Sequence, residues 1–187
     1  FLRFETDPYI VLHDGRMYWI VDAYTVSPRF PYSEPFAARE MLGPVKDRWN
    51  RPMVRETAPQ FHGANYVRNS VKTVVDAYNG DISFYVYTPD DPLIAAWRRV
   101  FPELFKDRDA MPDGLCAHVR YPETYLLTQG LVYARYHMTD PAVFYNQEDL
   151  WVRATEKYNQ QVQPVQPYYV MWDHPDTEGL EFVLILP

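Results

Sequence analysis

The residues best placed to do chemistry are two aspartates that occupy the same position in a repeated tetrapeptide. Val-Asp-Ala-Tyr spans residues 21–24 and again 75–78, so Asp22 and Asp76 are each followed two residues later by a tyrosine. Because side chains alternate along a strand, each acid shares one face with its tyrosine. Two converging carboxylates serve glycoside hydrolysis when about 5–9.5 Å apart, and carboxylates with backbone oxygens also bind Ca²⁺. In the structural alternative, each aspartate bonds neighbouring backbone or an arginine such as Arg68.

A polar-rich strand, Tyr66–Lys72, lies between the two copies and could supply partners for the acids. Its bases alternate with Val67, Asn69 and Val71, and a base opposite either aspartate would form a cross-strand ion pair. The functional alternative is an anion-binding face. The candidate ligand-binding residues are Tyr18, Asp22, Tyr24, Arg68, Lys72, Asp76 and Tyr78.

Other catalytic patterns are missing from the sequence. The five histidines are scattered without close metal-ligand spacing, and the single cysteine, Cys116, excludes an internal disulfide and a Cys-rich zinc site. The seven glycines form neither a phosphate loop nor a nucleophile elbow. We therefore assign no catalytic residue, metal or cofactor; whether the chain is an enzyme stays open, and the missing spacings favour a non-enzymatic role.

Composition narrows the class of protein further. The net charge is −7, which argues against binding nucleic acid or anionic lipid. Aromatic residues make up 17% of the 187 residues, which indicates either a tyrosine-rich core or a surface that stacks against sugar or peptide. No apolar stretch approaches the ~20 residues that span a bilayer.

The elements that must position the candidate residues are β-hairpins. Asp14-Gly15 and Asn79-Gly80 are turn signals between alternating runs, which predicts hairpins over 7–25 and 65–88. A third hairpin is predicted from Pro167–Asp173 and Leu180–Leu186, joined by the loop Pro175–Gly179.

Helices are predicted between the second and third hairpins. Asp91-Pro92 is a cap followed by proline at the first helical position, and it opens a helix whose predicted apolar stripe is Leu93, Ala96, Trp97, Val100 and Phe101. A second helix is predicted over Pro122–His137, with the stripe Leu127, Leu131, Ala134 and Met138. Asp140-Pro141 repeats the cap signal for a short turn, and Leu150–Arg153 reads as a strand.

The segment Ser27–Ala64 contains six of the 17 prolines, which predicts a long extended loop with one short helix over Pro35–Leu42. The expected fold class is α+β, with antiparallel hairpins forming a mixed sheet beside two main helices and this Pro-rich loop. At 187 residues we expect a single domain, 1–187. The chain begins without methionine, and we interpret it as part of a longer protein.

These stretches also resemble, in order and over nearly the whole chain, the bacterial multi-pass membrane protein family UPF 0182. The matching motifs are Asp7-Pro8-Tyr9, Asp14-Gly15-Arg16, Tyr18–Tyr24, Tyr32-Ser33, Asn65–Lys72, Val75–Tyr78, Asp91–Ile94, Trp97-Arg98, Val100–Pro102, His118–Glu123, Tyr136–Pro141, Phe144–Asn146, Asp149–Trp151 and Glu181–Leu184. The ordered set is specific, although no single motif is. The Pro-rich stretch Ala37–His62 looks longer than the family pattern.

The resemblance implies an architecture rather than an activity. Such proteins have several transmembrane helices followed by a large extracytoplasmic region, so this chain would be a central part of that region in a bacterial cell membrane. Membrane attachment would come from segments outside these residues. The family supplies no established activity, so no residue inherits a catalytic role.

Three hypotheses follow. In the first, the chain is a non-enzymatic module that binds an envelope component or a partner protein through its aromatic-rich surface. In the second, it is a carbohydrate-active hydrolase that uses Asp22 and Asp76, with neighbouring tyrosines as a sugar platform. In the third, it is a structural module that oligomerises through sheet edges or the Pro-rich loop.

Overall fold

The computed structural model describes residues 2–46, 52–159, 161–173, 175 and 179–187. Two compact units share the chain: unit 1 comprises Phe1–Ala37 and Gln60–Arg120, and unit 2 comprises Ala38–Pro59 and Tyr121–Pro187. The expectation of a single domain stays a prediction.

Unit 1 is built on a six-stranded mixed sheet. Its strands are β1 (Leu2–Phe4), β2 (Tyr9–His13), β3 (Arg16–Ser27), β6 (Tyr66–Asp76), β7 (Ile82–Val86) and β8 (Phe105–Asp107). Both β1 and β2 pair with β3, which pairs in turn with β6, and β7 and β8 continue the sheet. All pairs are antiparallel except β7 with β8, so the predicted α+β class and mixed sheet are confirmed.

The first two predicted hairpins are also confirmed. In the β2–β3 turn, Asp14 and Gly15 both have positive φ (49° and 72°), which is the geometry of a type I′ turn. That turn twists in the same sense as the strands, so it fixes the register that pairs Val11 with Tyr18. The second hairpin pairs β6 with β7 and sets Val75 opposite Ile82.

Each face of the unit 1 sheet carries an apolar cluster. On one face, Ile20 and Val74 pack with Met111 and Leu115, the latter on α2 (Asp113–Cys116). On the other face, Ile94 of α1 (Pro92–Val100) packs in a cluster with four residues of the sheet: Ala23, Val71, Val86 and Phe105.

Helix α1 lies where the sequence predicts it, but its buried stripe is different. Ile94 is fully buried and Trp97 packs against the same cluster, whereas Val100 and Phe101 are exposed. The predicted stripe is therefore wrong at Val100 and Phe101, because contact with the sheet buries the side of the helix that carries Ile94 and Trp97.

In unit 2, the predicted Pro-rich loop contains a hairpin. Strand β4 (Arg39–Lys46) pairs antiparallel with β5 (Pro52–Glu56), so the predicted helix over Pro35–Leu42 is wrong. In a two-stranded sheet every strand is an edge strand, where a proline that lacks an N–H donor is tolerated. Residues 47–51 of the connection lie outside the described part of the chain.

The rest of unit 2 contains α3 (Glu123–Tyr136) and α4 (Pro141–Asn146) and two further hairpins. Strands β11 (Tyr168–Asp173) and β12 (Leu180–Ile185) confirm the predicted third hairpin, although residues 176–178 of its loop are outside the described residues. The predicted strand Leu150–Arg153 is wrong: these residues are irregular, and the strand is β9 (Thr155–Tyr158), paired with β10 (Gln161–Pro164).

The two predicted Asp-Pro caps are confirmed by their geometry. Asp91 caps α1 by accepting a hydrogen bond from Leu93 N, and Asp140 caps α4 by accepting from Ala142 N and Val143 N. Among the described residues, no helix has the length and apolar character needed to cross a membrane.

Candidate functional site

Asp22 forms a buried ion pair in the centre of the unit 1 sheet. The register of β3 and β6 sets Asp22 directly opposite Lys72, and Lys72 Nζ donates a hydrogen bond to Asp22 Oδ1. The two residues are only 2% and 4% exposed. The cross-strand ion pair that the sequence predicted as the structural alternative is therefore present at this position.

Further hydrogen bonds complete this pair. Asn69 Nδ2 donates to Asp22 Oδ1 at 3.0 Å, and Lys72 Nζ also donates to the backbone oxygen of Arg120 at 3.3 Å. Burial raises the pKa of Asp22 and lowers the pKa of Lys72, because each charge loses its contact with water; the attraction between the two opposes both shifts. The pair is thus enclosed and internally bonded.

Tyr24, the other polar residue of the first tetrapeptide, is also buried and bonded within the protein. It is fully buried, its hydroxyl donates to Glu5 Oε2 at 2.6 Å, and its ring meets that of Phe61 edge-on at 4.8 Å. Glu5 is buried too and accepts a second bond from Thr6 N. A buried phenol needs a hydrogen-bond acceptor, and Glu5 supplies it.

The second tetrapeptide lies at a hairpin end and has different partners. Asp76 Oδ2 accepts from Arg16 Nη2 at 2.7 Å, and Asp76 Oδ1 accepts from Tyr78 N at 2.8 Å. The bond from Tyr78 N, followed by that from Arg16, holds the pKa of Asp76 below its usual value. The Arg16 guanidinium also lies 5.1 Å from the centre of the exposed Tyr78 ring. The acid therefore fixes the turn.

The two aspartates do not converge. Asp22 is opposite Lys72 while Asp76 is opposite Tyr18, so four residues of strand separate the acids, or about 14 Å at 3.3–3.4 Å per residue. The apolar pair Ile20–Val74 lies between them on the same face. This separation exceeds the about 5–9.5 Å that two-carboxylate glycoside hydrolysis requires.

Of the remaining candidates, Tyr18 lies opposite Asp76, whereas Arg68 lies at neither acid. The Arg68 guanidinium lies 5.7 Å from the Tyr66 ring centre, and Arg68 is opposite Thr25 in the sheet. Tyr18 is half-buried with its ring 6.4 Å from that of His13. The seven candidates are thus spread along β3 and β6 and the turn that follows β6. Within the described residues, no group of three or more His, Cys, Asp or Glu could hold a metal.

A third buried acid, Asp91, has more partners than a helix cap requires. Besides Leu93 N, it accepts from Thr25 Oγ1 at 2.5 Å, Ser70 Oγ at 2.6 Å and Tyr66 OH at 2.7 Å. Burial acts to raise the pKa of Asp91, but these bonds outweigh it and leave the pKa below its usual value. Asp91 therefore joins α1 to β3 and β6.

Two tyrosines flank the Asp22–Lys72 pair. The Tyr9 ring lies 4.1 Å from the Arg120 guanidinium, which in turn bonds Asp7 at 2.5 Å. Burial, and then the negative charge of Asp22, raise the pKa of Tyr9 to about 12. Lys72 Nζ lies 5.7 Å from the ring centre of the second tyrosine, Tyr87. The pair thus has an aromatic ring beside each of its charges.

Unit 2 carries rings that pack against one another, which we call the α3 aromatic surface: Tyr133, Tyr136, His137, Phe144 and Trp151. Tyr133, Tyr136 and Trp151 are exposed, whereas His137 and Phe144 are half-buried. His137 stacks on Trp151 with ring centres 4.2 Å apart, and Tyr133 meets Trp151 edge-on at 5.6 Å. Trp151 N donates to Ala134 O, which ties the tryptophan to the helix.

The α3 aromatic surface is exposed yet ordered by its own contacts. Tyr133 and Trp151 remain 59% and 52% exposed despite their mutual packing. Two contacts orient the ring of His137. Its Nδ1 lies 3.0 Å from the backbone oxygen of Tyr133, and its Nε2 lies 3.3 Å from Asp149 Oδ2. Rigid exposed aromatic side chains bind partners at low cost in conformational entropy.

Sequence reasoning missed Glu5, the wider role of Asp91 and the α3 aromatic surface. The signal for the surface was present, because Tyr133, Tyr136 and His137 are three and four residues apart and so share one side of a helix. Glu5 follows β1, a strand too short to show alternation.

Comparison with known proteins places the whole chain in one family. The family model described as "Uncharacterised protein family (UPF0182)" matches residues 1–187. A UPF0182 protein of Salinibacter ruber is 47% identical over 189 residues, one of Trichodesmium erythraeum is 46% identical over 187, and one of Methanospirillum hungatei is 46% identical over 187. No solved structure matches the chain.

The alignments cover all of this chain but only 18%, 20% and 19% of those relatives, so the chain spans about a fifth of their length. The expectation that Ala37–His62 is longer than the family pattern stays a prediction. The chain belongs to the uncharacterised protein family UPF0182.

Proposed function

We propose that this chain is a non-enzymatic interaction module in the extracytoplasmic region of a bacterial multi-pass membrane protein, and that it binds an envelope component or a partner protein. The observation that carries the proposal is the α3 aromatic surface, where Tyr133 and Trp151 are exposed although they pack against each other. Exposed, mutually supported aromatic side chains are typical anchors of binding surfaces.

The buried polar groups support the same proposal because none of them is accessible to a substrate. Asp22, Lys72 and Asp91 are bonded to protein partners and are nearly inaccessible. A catalytic acid or lysine must reach its substrate, so these groups are better explained as parts of the scaffold. The separation of Asp22 from Asp76 likewise gives the hydrolase hypothesis no geometric support.

The stacking geometry narrows the chemistry of the ligand. Tyr133 and Trp151 present their rings at 75° to each other, so a flat ligand face that contacts one ring would have its edge against the other. Sugar rings and apolar or proline-containing peptide segments have such faces. The location and membrane attachment are part of the proposal and rest on the family's expected architecture.

Binding to envelope glycans and to membrane-protein extracts tests the proposal with matched variants. We expect Trp151→Ala and Tyr133→Ala each to weaken a detected interaction at least ~10-fold, because each removes a large exposed contact. Tyr158→Ala removes an exposed tyrosine of unit 2 outside this surface and should leave binding unchanged. A ligand that is retained by both variants, or a complete screen without any ligand, would contradict the proposal.

The oligomerisation hypothesis predicts a different result. Association through sheet edges would appear as a mass that rises with protein concentration in sedimentation, without added ligand. A protein that stays monomeric at all concentrations would contradict the oligomerisation hypothesis and favour the binding module. Reversible self-association that Trp151→Ala does not weaken would favour the structural module.

A further inference from the structure

On one face of the unit 1 sheet, half of the surface is apolar and is not covered by another element of unit 1. Ile10, Trp19, Val75 and Ile82 lie directly opposite one another in a row across β2, β3, β6 and β7, and Leu12 and Met17 form the adjacent pair. We call these six residues the open sheet face. Five of them are exposed large apolar residues, from Trp19 at 40% to Leu12 at 69%.

The rest of the same face shows how it is covered elsewhere. Ala23 and Val71 lie further along β3 and β6 on this side, and there Ile94 of α1 packs over them. A sheet face that is apolar at both ends requires a covering layer over both ends. Helix α1 covers one end of this sheet face, and the open sheet face is the end that α1 does not cover.

We propose that this chain is a segment of a polypeptide of the relatives' length, and that the open sheet face packs against an apolar element of that same polypeptide. The relatives that the chain matches are about five times longer, so about four-fifths of such a polypeptide would lie outside these residues. An element linked in the same chain is present at high effective concentration and so needs little contact area to stay bound.

Two observations favour a covering element from the same polypeptide over a second copy of the chain. The open sheet face exposes on the order of 500 Å², about the size of the largest apolar patch on a typical monomer and below the about 800 Å² per partner typical of stable complexes. Two copies would also each carry a net charge of −7 and repel. The inference does not depend on the binding role of the α3 aromatic surface.

Cysteine labelling of the complete polypeptide tests this. In a Cys116→Ala background, cysteine is placed at Leu12 or Ile82 on the open sheet face, and at the exposed Glu103 as a control. Maleimide labelling is timed before and after denaturation in urea. We expect both face positions to label at least ~10-fold more slowly in the folded protein than after denaturation, because a packed side chain must first be exposed. The control should change little.

Each contrary outcome has a distinct meaning. Face positions that label as fast as Glu103→Cys in the folded polypeptide would overturn the proposal. Slow labelling that becomes fast on dilution would identify a second copy as the covering element, and slow labelling that is lost on purification would identify a separate protein; either overturns the intramolecular contact. Adding Trp151→Ala should not alter the labelling rates. The labelling therefore tests the covering of the open sheet face independently of ligand binding by the α3 aromatic surface.

Discussion

Lys72 lies directly opposite Asp22 on neighbouring antiparallel strands, and its ammonium group donates to the Asp22 carboxylate within the buried part of the sheet. A charge pair in this setting stabilises little by itself, because desolvation offsets the attraction. It does make each residue dependent on the other, since either charge left alone would be buried without a partner. The repeated tetrapeptide is therefore better explained by structure than by catalysis.

Asp91→Ala should destabilise unit 1 well beyond the loss of a helix cap. It removes the acceptor for Thr25, Ser70 and Tyr66 as well as for Leu93 N, so we expect a loss of about 2–4 kcal/mol in the free energy of unfolding. Urea denaturation measures it. Asp140→Ala is the matched control, because that cap accepts only from backbone N–H groups and should cost about 1 kcal/mol. Equal losses would contradict the wider role of Asp91.

Asp91 should also make the free energy of unfolding depend on pH. Its pKa in the folded protein lies below that of the unfolded chain, so its stabilisation is present above about pH 4 and is lost as the pH falls through the folded pKa. We expect the difference in unfolding free energy between the native protein and Asp91→Asn to shrink from pH 5 to pH 3. Denaturation curves at several pH values measure this, and a difference independent of pH would argue against it.

At alkaline pH, Tyr9 should limit stability. Burial and the nearby Asp22 charge raise the pKa of Tyr9 to about 12, against 10.0 for a free tyrosine. A raised pKa stabilises the folded state below pH 10 and loses this contribution as the pH rises towards 12. Tyr9→Phe should therefore lose less stability than the native protein between pH 10 and pH 12. Tyr32→Phe, at a fully exposed position, controls for removal of a phenol, and an identical loss in Tyr9→Phe and the native protein would refute the effect.

Local signals predicted much of the fold and little of the site. The three hairpins, both main helices and the two aspartate caps that are followed by proline follow from turn residues, alternation and capping chemistry, which act over a few residues. The hairpin β4–β5 was missed because proline is unfavourable in the interior of a sheet yet tolerated in a two-stranded one.

The site depended on register, which no local signal sets between distant strands. The sequence indicated that Asp22 needed a partner, but only the pairing of β3 with β6 selects Lys72 and places Asp76 four residues away. Likewise, the Asp91 partners Thr25, Ser70 and Tyr66 come from strands 21 to 66 residues distant in the chain. Tertiary contacts of that kind are visible only in the folded structure.

The most direct test is a double-mutant cycle on Asp22 and Lys72, measured as the free energy of unfolding at pH 7. We expect Lys72→Met alone to cost about 3–5 kcal/mol, because it leaves Asp22 buried without its cation. The combination with Asp22→Leu should recover most of that loss, since an apolar pair would extend the neighbouring Ile20–Val74 pair. A double variant whose loss equals the sum of the two single losses would contradict the account that the pair is a closed structural element.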